Sequence, residues 1–431
     1  MTWKIEQGNV MDVLRKYPDG YFHCSITSPP YWQMRLYGTD PVVWDETYKC
    51  SPAGHTWGDP IPRGHSAMTN QSFNERWGNS AGAKKQEGGG RTGGNCGRFC
   101  TGCNAWLGEL GGEPDPADYI RHIVQVCREI YRVLRDDGTF WLNIGDGYLS
   151  EGGNAGQGKT GQRADRSFTA PGFKKSRGFG LGEKQLMFLP ERIAIALQDD
   201  GWICRSRIVW QKKNPLPAPV RDRPVSSHEV VLLLTKKKKY FYDYIAVREP
   251  HVSRPQRWSK KRQPRDVGGA VPPQTHSGSS WCPSGRNLRD VWSLATGRSK
   301  VKHYAVFPKS LVERPIKAGT SELGCCPTCG EPWRRVLKPR GEVKPLSKAT
   351  DEYVGAAAVT AGWFLNCDCE EGSVPCMVLD PFAGLGTTGL ACIESGRDFV
   401  GVELSTEHAQ NARLGLMCHE ETWKQWKGRM R

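Results

Sequence analysis

The sequence predicts an α/β fold built on a parallel or mixed sheet and interrupted by loop-rich insertions. Three observations predict it: short apolar strands alternate with amphipathic helices, a strand–glycine turn–helix unit stands near the C-terminus, and Gly-rich, Cys-containing stretches break the alternation. At 431 residues the chain suffices for one large domain with insertions or for two domains. No apolar run is long enough to span a membrane, and the opening Met-Thr-Trp-Lys-Ile-Glu lacks the features of a signal peptide. A cytoplasmic protein with no membrane association is therefore expected. There, sixteen cysteines point to metal binding or burial rather than to disulfides. A net charge of +15, from 60 Lys+Arg against 45 Asp+Glu, suits a polyanionic partner such as nucleic acid.

Taken in order, residues 22–26 read as a strand, with Thr27-Ser-Pro-Pro-Tyr-Trp32 leaving its carboxyl end, where open parallel sheets bind ligands. Residues 39–113 carry glycines, aromatics and cysteines without periodicity and read as an insertion. Asp115-Pro116 starts a helix whose face is Ile120, Ile123, Val124, Cys127, Ile130, Tyr131 and Leu134, and Asp136-Asp-Gly138 ends it. A strand over 140–144 follows, then a loose basic segment (149–184), a helix near 190–197 and strands over 202–210 and 229–234. Regularity fades over 250–289. The chain closes with a βαβ unit: a strand over 377–380, a glycine turn, a helix through Ser395 and a strand over 399–403.

Within that unit, Gly384, Gly386 and Gly389 fit G-x-G-x-x-G, which on its own also describes a dinucleotide site. The surroundings favour S-adenosylmethionine. Thr387 and Thr388 open the helix, Asp380 places a negative charge by the turn, and a cationic sulfonium cofactor has no pyrophosphate to neutralise. Glu403, closing the next strand, suits ribose hydroxyls. The loop Ser28-Pro29-Pro30-Tyr31 is more discriminating. Its prolines fix φ and remove two N–H donors, so the local carbonyls are free acceptors. The Ser28 hydroxyl oxygen and the Pro29 carbonyl can accept both hydrogens of a nucleobase amine, turning its lone pair toward a methyl donor. Tyr31 is placed to stack on a base taken out of the duplex.

The two loops together resemble those of the amino-group DNA methyltransferases, whose amine loop reads [DNS]-P-P-[YFW] and whose cofactor loop reads D-P-F-x-G-x-G-T-T. Here these are Ser28–Tyr31 and Asp380-Pro-Phe382-Ala-Gly384-Leu-Gly386-Thr387-Thr388. With the amine loop first, the order is that of the permuted β group. Segments similar to that group are His303-Tyr-Ala-Val-Phe307-Pro308, which in the family lines the methionine end of the cofactor site, Asp290-Val-Trp292, Trp210-Gln-Lys-Lys-Asn-Pro215 and Ser227-His228-Glu229. The resemblance implies a Rossmann-like, S-adenosylmethionine-dependent methyltransferase sheet. It further implies direct methyl transfer to cytosine N4 or adenine N6 of double-stranded DNA, with no covalent enzyme intermediate. Serine at position 28 leans toward cytosine. The family also implies a possible homodimer; no partner restriction enzyme is evident, and the gene is expected to be bacterial or phage-encoded. Rival readings are a protein or RNA methyltransferase with an N-P-P-Y loop, and a DNA-binding zinc protein with an inactive methyltransferase core.

Cys326-Pro-Thr-Cys329 with Cys367-Asp-Cys369 supplies four thiolates, the usual recipe for structural zinc, with Cys325 competing for a place. Cys50, His55, Cys100 and Cys103 make a second candidate set, with Cys96 as substitute. Cys376, though it follows a proline, reads as core. DNA contact is expected in the basic stretches 159–184 and 254–265, with Arg254, Arg257, Trp258, Lys260 and Lys261 favoured. The resulting division gives a catalytic half at 1–38 and 114–250, a Cys/His insertion at 39–113 and a target-recognition region at 251–289. The cofactor half occupies 290–320 and 376–431, and a zinc insertion 321–375.

Overall fold

The computed structural model describes residues 1–34, 37, 39–45, 50, 54–59, 61–62, 95–149, 178–182, 184–215, 217, 220–250, 285–297, 307–339, 358–369 and 372–429. Arg254, Arg257, Trp258, Lys260 and Lys261 lie outside the described residues, as do 159–177.

An eight-stranded sheet forms the centre, in the order β1-β14-β13-β2-β7-β9-β8-β10. Its strands are β1 (Trp3–Gln7), β2 (Phe22–Thr27), β7 (Leu134–Ile144), β8 (Ile203–Lys212), β9 (His228–Thr235), β10 (Val291–Leu294), β13 (Met377–Asp380) and β14 (Asp398–Glu403). Only β9 runs against its neighbours, pairing antiparallel with both β7 and β8. Strands β2 and β13, buried at nearly every position, lie inside the sheet, and the polar side chains of His23, Ser25, Thr27 and Asp380 are buried with them.

Helices cover both faces. On one side α1 (Val10–Leu14), α2 (Pro116–Val133) and α3 (Leu189–Asp199) bury Val13, Leu14, Ile123, Ile130, Ile193 and Leu197. On the other, α4 (Lys309–Gly319), α5 (Thr387–Ser395) and α6 (Thr406–Arg429) bury Leu311, Ile316, Ala391, Ala412 and Leu416. Asp115 caps α2 by accepting from Ala117 N–H at 2.8 Å, with Pro116 in its first turn.

One boundary differs from expectation. The helix stops at Val133 rather than at the Asp-Asp-Gly, and β7 starts at Leu134 and runs through Gly138. A Cβ at Gly138 would sit 2.9 Å from the His23 carbonyl, so glycine here lets β7 lie close against β2 rather than ending a helix. The insertions also hold more structure than their composition suggests. Strands β3 (Val42–Trp44), β4 (Ile61–Pro62), β5 (Asn95–Phe99) and β6 (Trp106–Gly108) form a four-stranded sheet. Strands β11 (Arg334–Pro339) and β12 (Ala358–Phe364) form an antiparallel pair. Among the described residues no helix is long and apolar enough to cross a membrane.

Candidate active site

Parallel β2, β13, β14 and β7 end at one edge of the sheet, and their four outgoing loops meet there. A cavity of about 600 Å³ opens at this edge. Ser28, Pro29, Pro30 and Tyr31 line it from one side, and Phe382, Gly384, Thr387 and Glu403 from the other. Phe307 contributes a further wall. Segments some 350 residues apart in sequence thus face a single volume of the size of small-molecule sites.

The cofactor loop is shaped by what holds it. Gly384 and Gly386 take left-handed φ values of 53° and 78°, which side chains with a Cβ resist, and Gly386 forms the N-cap of α5. Asp380 is wholly buried. Its Oδ1 accepts from Thr27 Oγ1 at 2.7 Å and from Phe382 N–H at 3.1 Å, and its Oδ2 from Thr388 Oγ1 at 2.6 Å. Burial pushes the Asp380 carboxyl up to about 6 despite those three bonds. Asp380 and Thr388 are thus braces within the protein rather than groups presented to a ligand. Because Thr27 immediately precedes Ser28, the Thr27–Asp380 bond also ties the roots of the two loops together. Glu403 Oε2 receives Gly384 N–H at 2.9 Å and keeps a lone pair, while Oε1 receives Ser405 N–H at 2.9 Å and faces His408 Nδ1 at 3.8 Å. Pro308 is set back from Phe307 as the N-cap of α4.

On the amine loop, Ser28 Oγ donates to Tyr31 Oη at 2.9 Å, and Tyr31 Oη donates to Glu229 Oε2 at 2.7 Å. Asn143 Nδ2 donates to both Tyr31 Oη (2.8 Å) and Glu229 Oε2 (2.9 Å), and Lys212 Nζ meets Glu229 Oε1 at 2.5 Å. With two bonds accepted, the phenol has one proton to give, and it goes to the carboxylate. Burial, then the Glu229 charge, pushes the Tyr31 phenol well above its ordinary range, so it stays protonated. The Ser28 proton is therefore committed to Tyr31; one Ser28 lone pair faces Asn143 Nδ2 at 3.5 Å and the other remains available. The Tyr31 ring lies over Gly145, where a Cβ would come within 2.7 Å of it. Tyr119 Oη donates to the Pro30 carbonyl at 2.8 Å.

The insertion braces this loop from outside. Gln33, held at φ 49°, donates its N–H to Gly111 O at 2.7 Å, and Trp32 Nε1 donates to Glu113 O at 2.8 Å. Glu113 is buried, receives Gly111 N–H at 2.7 Å, and sits 2.9 Å from His122 Nδ1; Asp45 lies 3.0 Å from His122 Nε2. The imidazole stacks between Trp44 and Trp106, with centroids at 4.9 and 5.4 Å. Burial opposes its charge, but the two carboxylates prevail and raise the His122 pKa. Asp45 falls below the ordinary carboxylate range although burial works against it, because His122 and Arg121 favour its charged form.

Both predicted metal sets come together: Cys50, His55, Cys100 and Cys103 in one place, Cys326, Cys329, Cys367 and Cys369 in another. Cys325 stands apart, beside His23 and a buried Cys376, so it is no rival for the second set. Sequence reasoning missed Glu229, Asn143 and Lys212 as members of the site. The available signal was one acid heading an otherwise aliphatic strand. Because β9 is antiparallel, its first residues, not its last, lie at the ligand edge.

This fold and this pair of facing loops define a group-transfer enzyme of the Rossmann-like methyltransferase class. The sequence model of the DNA methylase family, that of the N6/N4 methyltransferases, matches residues 22–326 and 374–413, and the chain belongs to that family. It is 29% identical over 405 residues to the Type II methyltransferase M.XycI of Xanthomonas campestris pv. cyanopsidis, covering 93% of this chain and 83% of that protein. It is 33% identical over 310 residues to the Type II methyltransferase M.SmaI of Serratia marcescens, covering 72% and 78%. Among solved structures, the PvuII DNA methyltransferase (cytosine-N4-specific) aligns with a TM-score of 0.46 at 12% identity, covering 96% of this chain and 86% of that one.

Proposed function

We propose that this DNA methyltransferase transfers a methyl group from S-adenosylmethionine to the N4 amine of a cytosine turned out of double-stranded DNA, within a Type II modification system. The observation that carries the reading is the common cavity, with lone pairs of Ser28 and Pro29 on one wall and the glycine turn and Glu403 on the other. Bound S-adenosylmethionine would supply the activated methyl group. Glu403 and the Gly384–Gly386 turn would hold its ribose and adenine end, with Phe382 and Phe307 as apolar walls and Thr387 at the helix start.

Ser28 Oγ and the Pro29 carbonyl each accept one amine hydrogen, which directs the nitrogen lone pair across the cavity. The bound donor would give its methyl carbon to nitrogen and keep the carbon–sulfur electron pair on sulfur. The amine then carries one proton too many. Ser28 Oγ takes it, Ser28 passes its own proton to Tyr31, and Tyr31 passes its proton to Glu229. The donor directions between Ser28, Tyr31 and Glu229 support this route. Lys212 and Asn143 hold the accepting carboxylate. Phosphate contact is assigned on charge to Arg254, Arg257, Lys260 and Lys261, with Trp258 among them in the sequence.

Incubating the purified chain with S-adenosylmethionine and duplex DNA, then measuring nucleosides by mass, is expected to yield N4-methylcytosine. N6-methyladenine would redirect the base assignment to the alternative the family also contains. No methylated base on any DNA would refute the reading.

A further inference from the structure

Two short turns far apart in the chain share one backbone geometry, and neither takes part in the cavity chemistry. In the first, Cys100 N–H donates to Ala105 O at 2.8 Å and Asn104 N–H to Cys100 O at 2.9 Å, with Asn104 left-handed at φ 63°. In the second, Cys326 N–H donates to Glu331 O at 2.8 Å and Gly330 N–H to Cys326 O at 2.9 Å, with Gly330 left-handed at φ 73°. Each is a Cys-x-x-Cys closed by a left-handed residue, and each meets a second ligand pair: Cys50 with His55, and Cys367 with Cys369.

The spacings fit a tetrahedral ion. Bonds of about 2.3 Å to sulfur and about 2.0–2.1 Å to nitrogen set tetrahedral edges of about 3.8 Å between sulfurs and about 3.5 Å between sulfur and nitrogen. Cys50 Sγ and Cys100 Sγ are 3.9 Å apart, and Cys103 Sγ and His55 Nδ1 are 3.4 Å apart. In the second set all four sulfurs lie within 4.8 Å of one another. The third grouping, His23 with Cys325 and Cys376, meets the same 4.8 Å limit but lacks a free ligand nitrogen. His23 Nε2 is bonded to Gly330 O at 2.8 Å and its Nδ1 to Met377 N–H at 3.1 Å, so the imidazole has no nitrogen left for a metal.

We propose that each chain binds two zinc ions with unequal roles: one at Cys50, His55, Cys100 and Cys103 positions the amine loop, and one at Cys326, Cys329, Cys367 and Cys369 fastens the later insertion to the back of the sheet. The first turn leads into β6, and β6 leads into the segment whose Gly111 and Glu113 carbonyls hold Gln33 and Trp32. The strands it organises are two to five residues long and cannot enclose a core of their own. The second turn faces the far edge. Cys329 O accepts from Arg135 Nη1 at 2.9 Å, and His23, near the start of β2, binds Gly330 O.

The positioning role builds on the methyl-transfer reading, whereas the zinc count does not. Mass-spectrometric metal analysis of the full chain purified without chelator is expected to find two zinc ions per chain; one or none overturns the assignment. His55→Ala is expected to lose one ion and to lower single-turnover methyl transfer on the order of 100-fold while S-adenosylhomocysteine affinity is kept. His55→Cys, which restores a fourth ligand, is expected to regain both the ion and the rate. A full rate in His55→Ala chains that lack the ion overturns the positioning role. Cys326→Ser is expected to lose the other ion and lower Tm; an unchanged Tm overturns the fastening role. Wild-type enzyme assayed alongside separates the two ideas: an inactive wild type refutes methyl transfer and leaves the zinc count to judge the metal sites.

Discussion

Replacing Tyr31 with phenylalanine keeps the ring over Gly145 and deletes one oxygen with three hydrogen bonds, at 2.7, 2.8 and 2.9 Å. Cofactor binding is expected to be unaffected, because no bond from that oxygen reaches the Gly384 turn or Glu403. The Ser28 proton, however, loses the phenol oxygen that accepts it and becomes free to point into the cavity, where it opposes the amine it should receive. Glu229 loses its phenolic donor, and the proton route is cut. A hydrogen bond to a charged group contributes about 1.5–3 kcal/mol. Assigned to the transition state, that corresponds to about a 10- to 150-fold fall in rate. Single-turnover transfer of labelled methyl groups to duplex DNA measures it, alongside S-adenosylhomocysteine affinity. A Tyr31→Phe enzyme with the wild-type rate would refute the proton route. A parallel loss of cofactor affinity would show instead that Tyr31 shapes the loop.

Asp380→Asn removes a buried charge whose carboxyl sits at about 6, above its unfolded value. Protonated Asp380 therefore favours the fold below about pH 4, and this advantage is lost as pH rises through 6, with an upper bound of about 3 kcal/mol. The variant's urea stability relative to wild type is expected to improve from pH 4 to pH 7; a constant difference would contradict the burial argument. His122→Ala strands Glu113 without its cation, and a loss of about 3–5 kcal/mol is expected in chemical unfolding. Gly389→Ala places a Cβ 2.8 Å from Leu416 and from the Phe399 ring, and a loss of about 1–3 kcal/mol is expected by the same measurement.

The elements legible in the sequence were those whose cause is local. The βαβ unit around Gly384, the Pro-Pro loop and the helical periodicity after Asp115 each carry their own signature within about ten residues. The site's polar network did not. Glu229 and Lys212 approach Tyr31 because β9 is antiparallel and pairs Glu229 with Trp210, a register no local pattern encodes. Asn143 reaches the amine loop because Thr27 pairs with Leu142, which brings the next residue of each strand side by side. The brace of Glu113, His122 and Asp45 joins three separate segments, and only the folded chain stacks Trp44 and Trp106 on that imidazole. Asp380 carried a local signal with the opposite meaning: an acid beside a cofactor turn reads as a ligand group, whereas here it is wholly enclosed by Thr27, Phe382 and Thr388.

A crystal structure with S-adenosylhomocysteine and a duplex carrying an extrahelical cytosine tests the shared cavity most directly. The sulfur is expected to face the Pro29 carbonyl and Ser28 Oγ, with the cytosine N4 nitrogen between them at about 3–3.5 Å from where the methyl carbon would stand. A nucleoside bound away from Glu403, or a base seated out of reach of Ser28, would contradict it.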